Sequence, residues 1–340
     1  MNPAWIVRFR PTGPWRFGPP TGARDRVDRT LHSDTLFSAL TIAMSQLGAV
    51  DEWLDATIHA PEPAVHISSG FPCMADTLFA PPPQSHWPPQ PSVKVRWKGA
   101  RFVPVDAIGT LLADGVLNDD AWMVDGASEC LLPVGKNRLA SGPCRTAMRT
   151  SAAVDRLTGS AVHPFTTACL EFAPNAGVWV AVSFLDEAAR AAWGERLRGA
   201  FALLADSGIG GERSSGWGRS KTPAISEGTL PALLAPGAPA QQDVPPGAWW
   251  LLSLFTPAEQ DRIDWLRGSY SMLVRGGRVE SQSGWGAEKK LTRMVAEGSV
   301  LLSEHAPRGL AQDVGPEKLA HPIYRSGMAF AVPVPAKVTP

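Results

Sequence analysis

An excess of charge of either sign is missing from these 340 residues, in which 32 basic side chains meet 32 acidic ones. A uniform electrostatic pull toward nucleic acid or a membrane surface is therefore excluded, and any polyanion has to be met locally. Cysteine is scarce. Cys73, Cys130, Cys144 and Cys169 lie too far apart for the close pairs of metal ribbons or thioredoxin-like sites, and they read as reduced thiols of a cytoplasmic protein. The seven histidines show no HExxH-type spacing, and no GxSxG elbow occurs, so neither a metal centre nor a serine hydrolase is indicated. No apolar run approaches the roughly 20 residues of a membrane span. The opening MNPAWIVRFRP places Arg8 and Arg10 inside its first apolar stretch, which does not read as a signal peptide.

The chain does carry a core-forming share of apolar residues, 44%, with only 19% charged, and enough length for two domains. Glycine and proline, 32 each, imply long turn-rich connections, and 13 Trp against 2 Tyr supply wide flat faces for packing or for stacking on bases. Trp5 to Phe9 and Val178 to Phe184 read as strands. Ser33, a good N-cap, opens an amphipathic helix with Leu36, Leu40, Ala43, Met44 and Leu47 on one stripe, and Asp186 to Ser207 forms a second with Trp193, Leu197 and Phe201. The order strand, helix, strands, helix, glycine loop, strand matches one ferredoxin-like βαββαβ unit with a large insertion. The expected organisation is an N-terminal domain over 1–228 with an inserted basic region at about 61–174, a linker at 229–247, and a degenerate second α+β unit over 248–340. In the second unit, Trp249 to Phe255, Ser271 to Val274 and Met328 to Val334 read as strands and Glu288 to Ala296 as a short helix.

The segment 208–221, GIGGERSSGWGRSK, is the richest in chemistry. Its five glycines permit positive φ and close backbone approach, so successive amides can cup an anion, with Arg213, Arg219 and Lys221 supplying charge. A nucleotide P-loop is excluded because Trp217 stands at the lysine position, and a dinucleotide fingerprint because Arg213 stands where a third glycine belongs. The same glycines would also serve a long turn between helix and strand. Arg145, Arg149 and Arg156, interleaved with small residues, form a basic tract with the look of a flexible arm or hairpin, able to grip a backbone and wedge an apolar tip between bases; such tracts are also common as solvated faces. His32, just ahead of the first helix, could donate to a phosphate or act as a general base. Trp15, Phe17, Trp97 and Trp217 are stacking candidates.

The segments LHSDTLFSAL at 31–40, VDRLTGSA at 154–161, GIGGERSSGWGRSK at 208–221, SMLVRGGRV at 271–279 and EGSVL at 297–301 together resemble the RAMP superfamily, and within it the subunit-four family of the type III-A (Csm) CRISPR effector. That resemblance implies tandem ferredoxin-like (RRM-like) domains. It also implies a non-catalytic protein without cofactor or metal that caps the 5′ repeat-derived tag of the crRNA in antiviral defence. It would join the large polymerase-like (Cas-ten-type) subunit to the backbone RAMP subunit, Csm subunit three. By the same resemblance, RNA contacts fall to Gly210, Gly211, Arg213, Ser214 and Gly216 with Lys221 beside them, to Arg145, Arg149 and Arg156, and to His32 and Ser33 at the start of the motif helix. The proline-rich Pro81 to Pro91 has no counterpart in the family. Two alternatives stay open: a metal-independent guide-processing endoribonuclease of the superfamily, with His32 and Lys221 as acid–base pair, and the equivalent subunit of another type III system.

Overall fold

The computed structural model describes residues 2–19, 21–89, 95–135, 141–234, 247–280, 286–317 and 319–336. The first strand, β1 (Pro3–Phe9), leads through a loop into α1 (Ser33–Gln46), which a short α2 (Val50–Leu54) and a π-turn over Asp55–His59 extend. Three short strands follow, β2 (Val65–Ile67), β3 (Phe71–Met74) and β4 (Thr77–Ala80), and then β5 (Val103–Pro104) runs into α3 (Val105–Leu112). Two hairpins come next, β6 (Trp122–Asp125) with β7 (Cys130–Pro133), and the much longer β8 (Cys144–Val154) with β9 (Ala161–Phe172). The chain returns through β10 (Ala176–Phe184), α4 (Glu187–Ser207), β11 (Ala224–Thr229) and α5 (Leu230–Leu234).

These elements build one antiparallel sheet in the order β11-β1-β10-β3-β4-β5, with β2 also paired to β10. Both of its faces are covered, which explains why β10 reads as a continuous apolar run rather than an alternating one. Trp5, Val7, Phe9, Val178, Val180 and Val182 face α1 and α4, whereas Ile6, Trp179 and Ala181 face a second core shared with Phe79, Phe102 and the C-terminal residues Trp250, Leu252 and Val300. β2 and β3 are thus strands of the main sheet, and the inserted region begins only after them, later than the 61 expected from the sequence.

Beyond the main sheet, β12 (Ala248–Leu251), β13 (Asp264–Ser269), β14 (Met272–Arg275), β15 (Thr292–Val295) and β16 (Val300–Leu302) precede β17 (Gly309–Asp313), β18 (Tyr324–Met328) and β19 (Ala331–Pro333). They form a four-stranded sheet in the order β13-β16-β12-β19 and two hairpins, β14-β15 and β17-β18. The expected helix at Glu288 to Ala296 is a strand instead. Leu291, Met294 and Val295 mimic helical spacing, but Thr292 to Arg275 and Val295 to Met272 lie in register across β14 and β15. Of the expected linker, Thr229 ends β11 and Leu230–Leu234 form α5, with Leu234 buried; 235–246 lie outside the described residues. The mixed content of helices and antiparallel sheets is that of an α+β protein.

Two local expectations also change. His32, not Ser33, occupies the N-cap of α1, and its side chain makes no capping bond there. Leu47, expected on the buried stripe, is exposed at the helix end, where Gly48 turns the chain with a φ of +71°. The second helix begins as expected, with Asp186 accepting from the Ala189 amide at 2.7 Å.

Candidate nucleic-acid interface

The glycine loop follows α4 and closes against the loop after β1. Gly210, at a φ of +92°, lies so close to the main chain of Arg16 that a Cβ would sit 2.2 Å from its carbonyl oxygen, and a Cβ on Gly218 would sit 2.3 Å from that of Ile209. Much of the expected amide concavity is used internally. The amide of Gly211 donates to the Arg16 carbonyl at 2.8 Å, and those of Gly208, Ile209 and residues 215–218 also donate to main-chain carbonyls. An anion can therefore draw only on the remaining amides from Gly210 to Ser214 and on side chains. Arg16 itself is buried, and its guanidinium donates to the carbonyls of Ala23, Arg24, Arg26 and Ala168, which ties the glycine loop to the foot of β9.

The start of α1 is fastened to the C-terminal half by two buried ionic clusters. Asp34 receives a two-pronged contact from Arg275, at 3.0 and 2.9 Å, and lies 3.5 Å from Arg325. Burial opposes its charge, but Arg275 holds the carboxyl below the usual carboxylate range. Arg325 also donates to the carbonyls of Arg275, Gly276 and Lys290, so it fixes the 275–276 turn. His32, likewise buried, donates from Nδ1 to Glu297 at 2.8 Å and from Nε2 to Asp28 at 3.0 Å. Burial opposes the imidazolium, yet the Glu297 charge and the two carboxylate hydrogen bonds outweigh it and raise the His32 pKa to about 9. With both nitrogens protonated, His32 has no lone pair to offer as a base.

Between the glycine loop, α1 and the 275–280 segment lies an open cleft of about 320 Å³. Besides the His32 imidazolium, five cationic side chains line it, Arg213, Arg275, Arg278, Lys289 and Arg325, against two carboxylates, Asp34 and Glu280. Arg213 forms an ion pair with Glu280, so the glycine loop too is bound to the C-terminal half. Beside this cleft the β8-β9 hairpin projects from the sheet. Its foot is held by paired hydrogen bonds between Trp15 and Leu170, at 3.0 and 2.7 Å, and most of its length is exposed. Arg145 and Arg149 lie on one face, both bonded to Glu171. Arg156 stands at the exposed tip next to Leu157, which is 97% exposed, and Val154.

Of the residues singled out from the sequence, His32, Gly210, Gly211 and Arg213 meet in the cleft. Ser33 is buried behind it, its hydroxyl accepting from the Leu254 amide at 3.0 Å, while Ser214 and Lys221 are exposed on the loop outside the cleft and Gly216 is half-buried in its outer turn. Lys221 is fixed through its amide to the Arg10 carbonyl and does not line the cleft that His32 lines. Trp15, Phe17 and Trp97 are core residues, which leaves half-buried Trp217 as the exposed-side stacking candidate. Lys94, Lys136 and Arg138, in the inserted basic region expected at about 61–174, lie outside the described residues. Sequence reasoning missed Arg275, Arg278, Lys289 and Arg325 as site residues. The first two sit in the RGGRV segment and could have been taken from it; nothing near Lys289 or Arg325 marks them. Among the described residues no group of three or more His, Cys, Asp or Glu side chains is arranged to hold a metal, and no helix is long and apolar enough to cross a membrane.

Residues 246–334 match the family model of the CRISPR Csm4 C-terminal domain. Over the whole chain the fold is similar to solved structures. A chain of the Csm3-Csm4 subcomplex in the type III-A CRISPR-Cas interference complex aligns with a TM-score of 0.66 at 15% identity, covering 98% of this chain and 99% of that one. Chains of Csm1-Csm4 cassettes in complex with cA4 and with pppApA align with TM-scores of 0.61 and 0.58 at 17% and 18% identity, the first covering 99% of this chain and 100% of that one, the second 98% of each. No curated protein matches the sequence.

Proposed function

We propose that this chain, a RAMP protein of the Csm4 type by its C-terminal domain and its fold, is the non-catalytic subunit that holds the 5′ repeat-derived tag of the crRNA in a type III-A CRISPR complex. The observation that carries the reading is convergence. The segments that carry the resemblance lie far apart in sequence, yet three of them, 31–40, 208–221 and 271–279, line one cationic cleft and a fourth, 297–301, is joined to its wall by His32 to Glu297, while Asp34 to Arg275 and Arg213 to Glu280 hold the lining together. The fifth is the tip of the adjacent hairpin. An open cleft with surplus positive charge and an exposed basic arm suits a single strand bound by its phosphates and splayed bases, a task that requires no reacting group.

The tandem ferredoxin-like reading rests on strand order. β11-β1-β10-β3 runs fourth, first, third, second, and β13-β16-β12-β19 repeats that order reversed, with the β17-β18 hairpin standing where a second helix would pack. By the shared fold, the partners are those of the aligned structures, Csm1 and Csm3, and this subunit bridges the two in the cytoplasm. The guide-processing alternative needs His32 as base, and a doubly protonated ring between two carboxylates argues for a structural latch instead.

The test is guide retention by the assembled complex. Arg213→Ala and Gly211→Asp are expected to weaken it by about 1–3 kcal/mol each, more steeply as salt rises. Equal retention after both changes would overturn the reading.

A further inference from the structure

Among the described residues, the cleft holds one cation that the fold itself does not use. Arg213 is paired with Glu280, Arg275 and Arg325 share Asp34, and Arg278 donates to the Gly286 carbonyl at 2.8 Å and lies 3.5 Å from Glu288. Lys289 is different. Its main chain is fixed, the amide donating to the Gly277 carbonyl at 2.8 Å, and its side chain is half-buried in the cleft wall. Its ammonium has no hydrogen bond or ion pair to a described residue. Burial, reinforced by the Arg325 charge, lowers the ammonium pKa, and Asp34 and Glu280 compensate only in part. An unneutralised, partly desolvated charge opposes folding unless a ligand supplies the counter-charge.

The space in front of it is suited to an anion. Gly277 lines the same cleft at a φ of +134°, and a Cβ there would meet nothing within 4 Å. Gly210 and Gly211 line the same cleft, which is open to solvent instead of enclosed, so it does not close around a small molecule.

We infer that Lys289 is an RNA-contacting residue contributed by the C-terminal half, its ammonium donating to a phosphodiester oxygen of a strand seated between the glycine loop and the 275–278 turn. This rests on the RNA-binding reading above and extends it: the site is composite, and neither half holds the strand alone.

The experiment uses the full chain and a fluorescein-labelled single-stranded RNA of the repeat-derived tag sequence, with anisotropy read across a salt series. Lys289→Gln is expected to weaken binding about tenfold and to flatten the slope of log K against log salt by about 0.7, the value of one lost phosphate contact on a single strand. Lys289→Arg keeps the slope, and Lys290→Gln, at the exposed neighbour, changes neither quantity. Because Lys289 has no partner to lose among the described residues, its thermal midpoint should not fall. Unchanged affinity and slope for Lys289→Gln, while Arg213→Ala and Gly211→Asp lose binding, would overturn this inference and leave the RNA reading standing. If those two variants also bind as the wild type does, or the wild type takes up no RNA, the RNA reading fails and this inference with it. Inorganic phosphate and a nucleoside monophosphate at millimolar concentration are expected not to displace the RNA. Displacement by either, lost in Lys289→Gln, would make this a small-anion site and contradict the proposal.

Discussion

A Cβ at Gly210 would lie 2.2 Å from the Arg16 carbonyl oxygen, whereas at Gly211 it would meet only the Arg16 side chain, at 3.4 Å. Gly210 also has a left-handed φ, and Gly211 does not. Gly210→Ala is therefore expected to lower stability by about 2 kcal/mol or more in urea unfolding. Gly211→Ala should stay within about 0.5 kcal/mol of the wild type. The neighbouring glycines thus serve different purposes, one the fold and one the open surface. The sequence shows five glycines and a phosphate-binding look, but which of them face their own chain depends on Arg16, nearly two hundred residues earlier. The same holds for His32: its position before a helix is legible, its two carboxylates are not, since Glu297 comes from the other half of the molecule.

At the scale of elements, α1 depends on residues of β14 and β18 for its charged end. Arg275→Ala leaves Asp34 buried beside Arg325 alone and is expected to cost about 3–5 kcal/mol. Replacing Asp34 and Arg275 together by apolar residues of similar volume should recover much of that, and denaturant unfolding of the single and double variants checks it. The His32 latch adds a pH dependence. Its folded pKa is raised, from 6.5 to about 9, so its contribution is complete below about pH 6.5 and fades as pH rises through 9, a total on the order of 3 kcal/mol. Asp34 and Glu297 behave oppositely: with their pKa values depressed, their contribution is present above the usual carboxylate range and is lost as pH falls into acid. Unfolding midpoints measured from pH 5 to 10 should decline toward the alkaline end, and His32→Gln should flatten that decline. α1 and α4 were readable because burial of one face imposes a period, and β1 and β10 because burial of both faces makes a continuous apolar run. β15 was not, because its hairpin is half-exposed and its polar residues carry no strong pattern.

For the whole molecule, two halves share one cleft and one exposed hairpin. The hairpin tip takes no part in the core, so Arg156→Ala and Leu157→Ser are expected to leave unfolding within about 0.5 kcal/mol of the wild type. Guide retention by the complex should weaken in both, which a filter-binding assay on the purified assembly would read. The basic tract and its form as an arm or hairpin were visible in the sequence; its rooting on Trp15 was not, because the root is a bridge to a loop far away in the chain. The central claim is that a guide strand occupies the cleft. Its most direct test is photo-cross-linking of the guide in the assembled complex, with the modified peptides identified by mass spectrometry. Cross-links in 208–221, in 275–289 and along 145–157 are the predicted result; a guide that cross-links only to other surfaces of this chain, or not to it at all, would contradict the account.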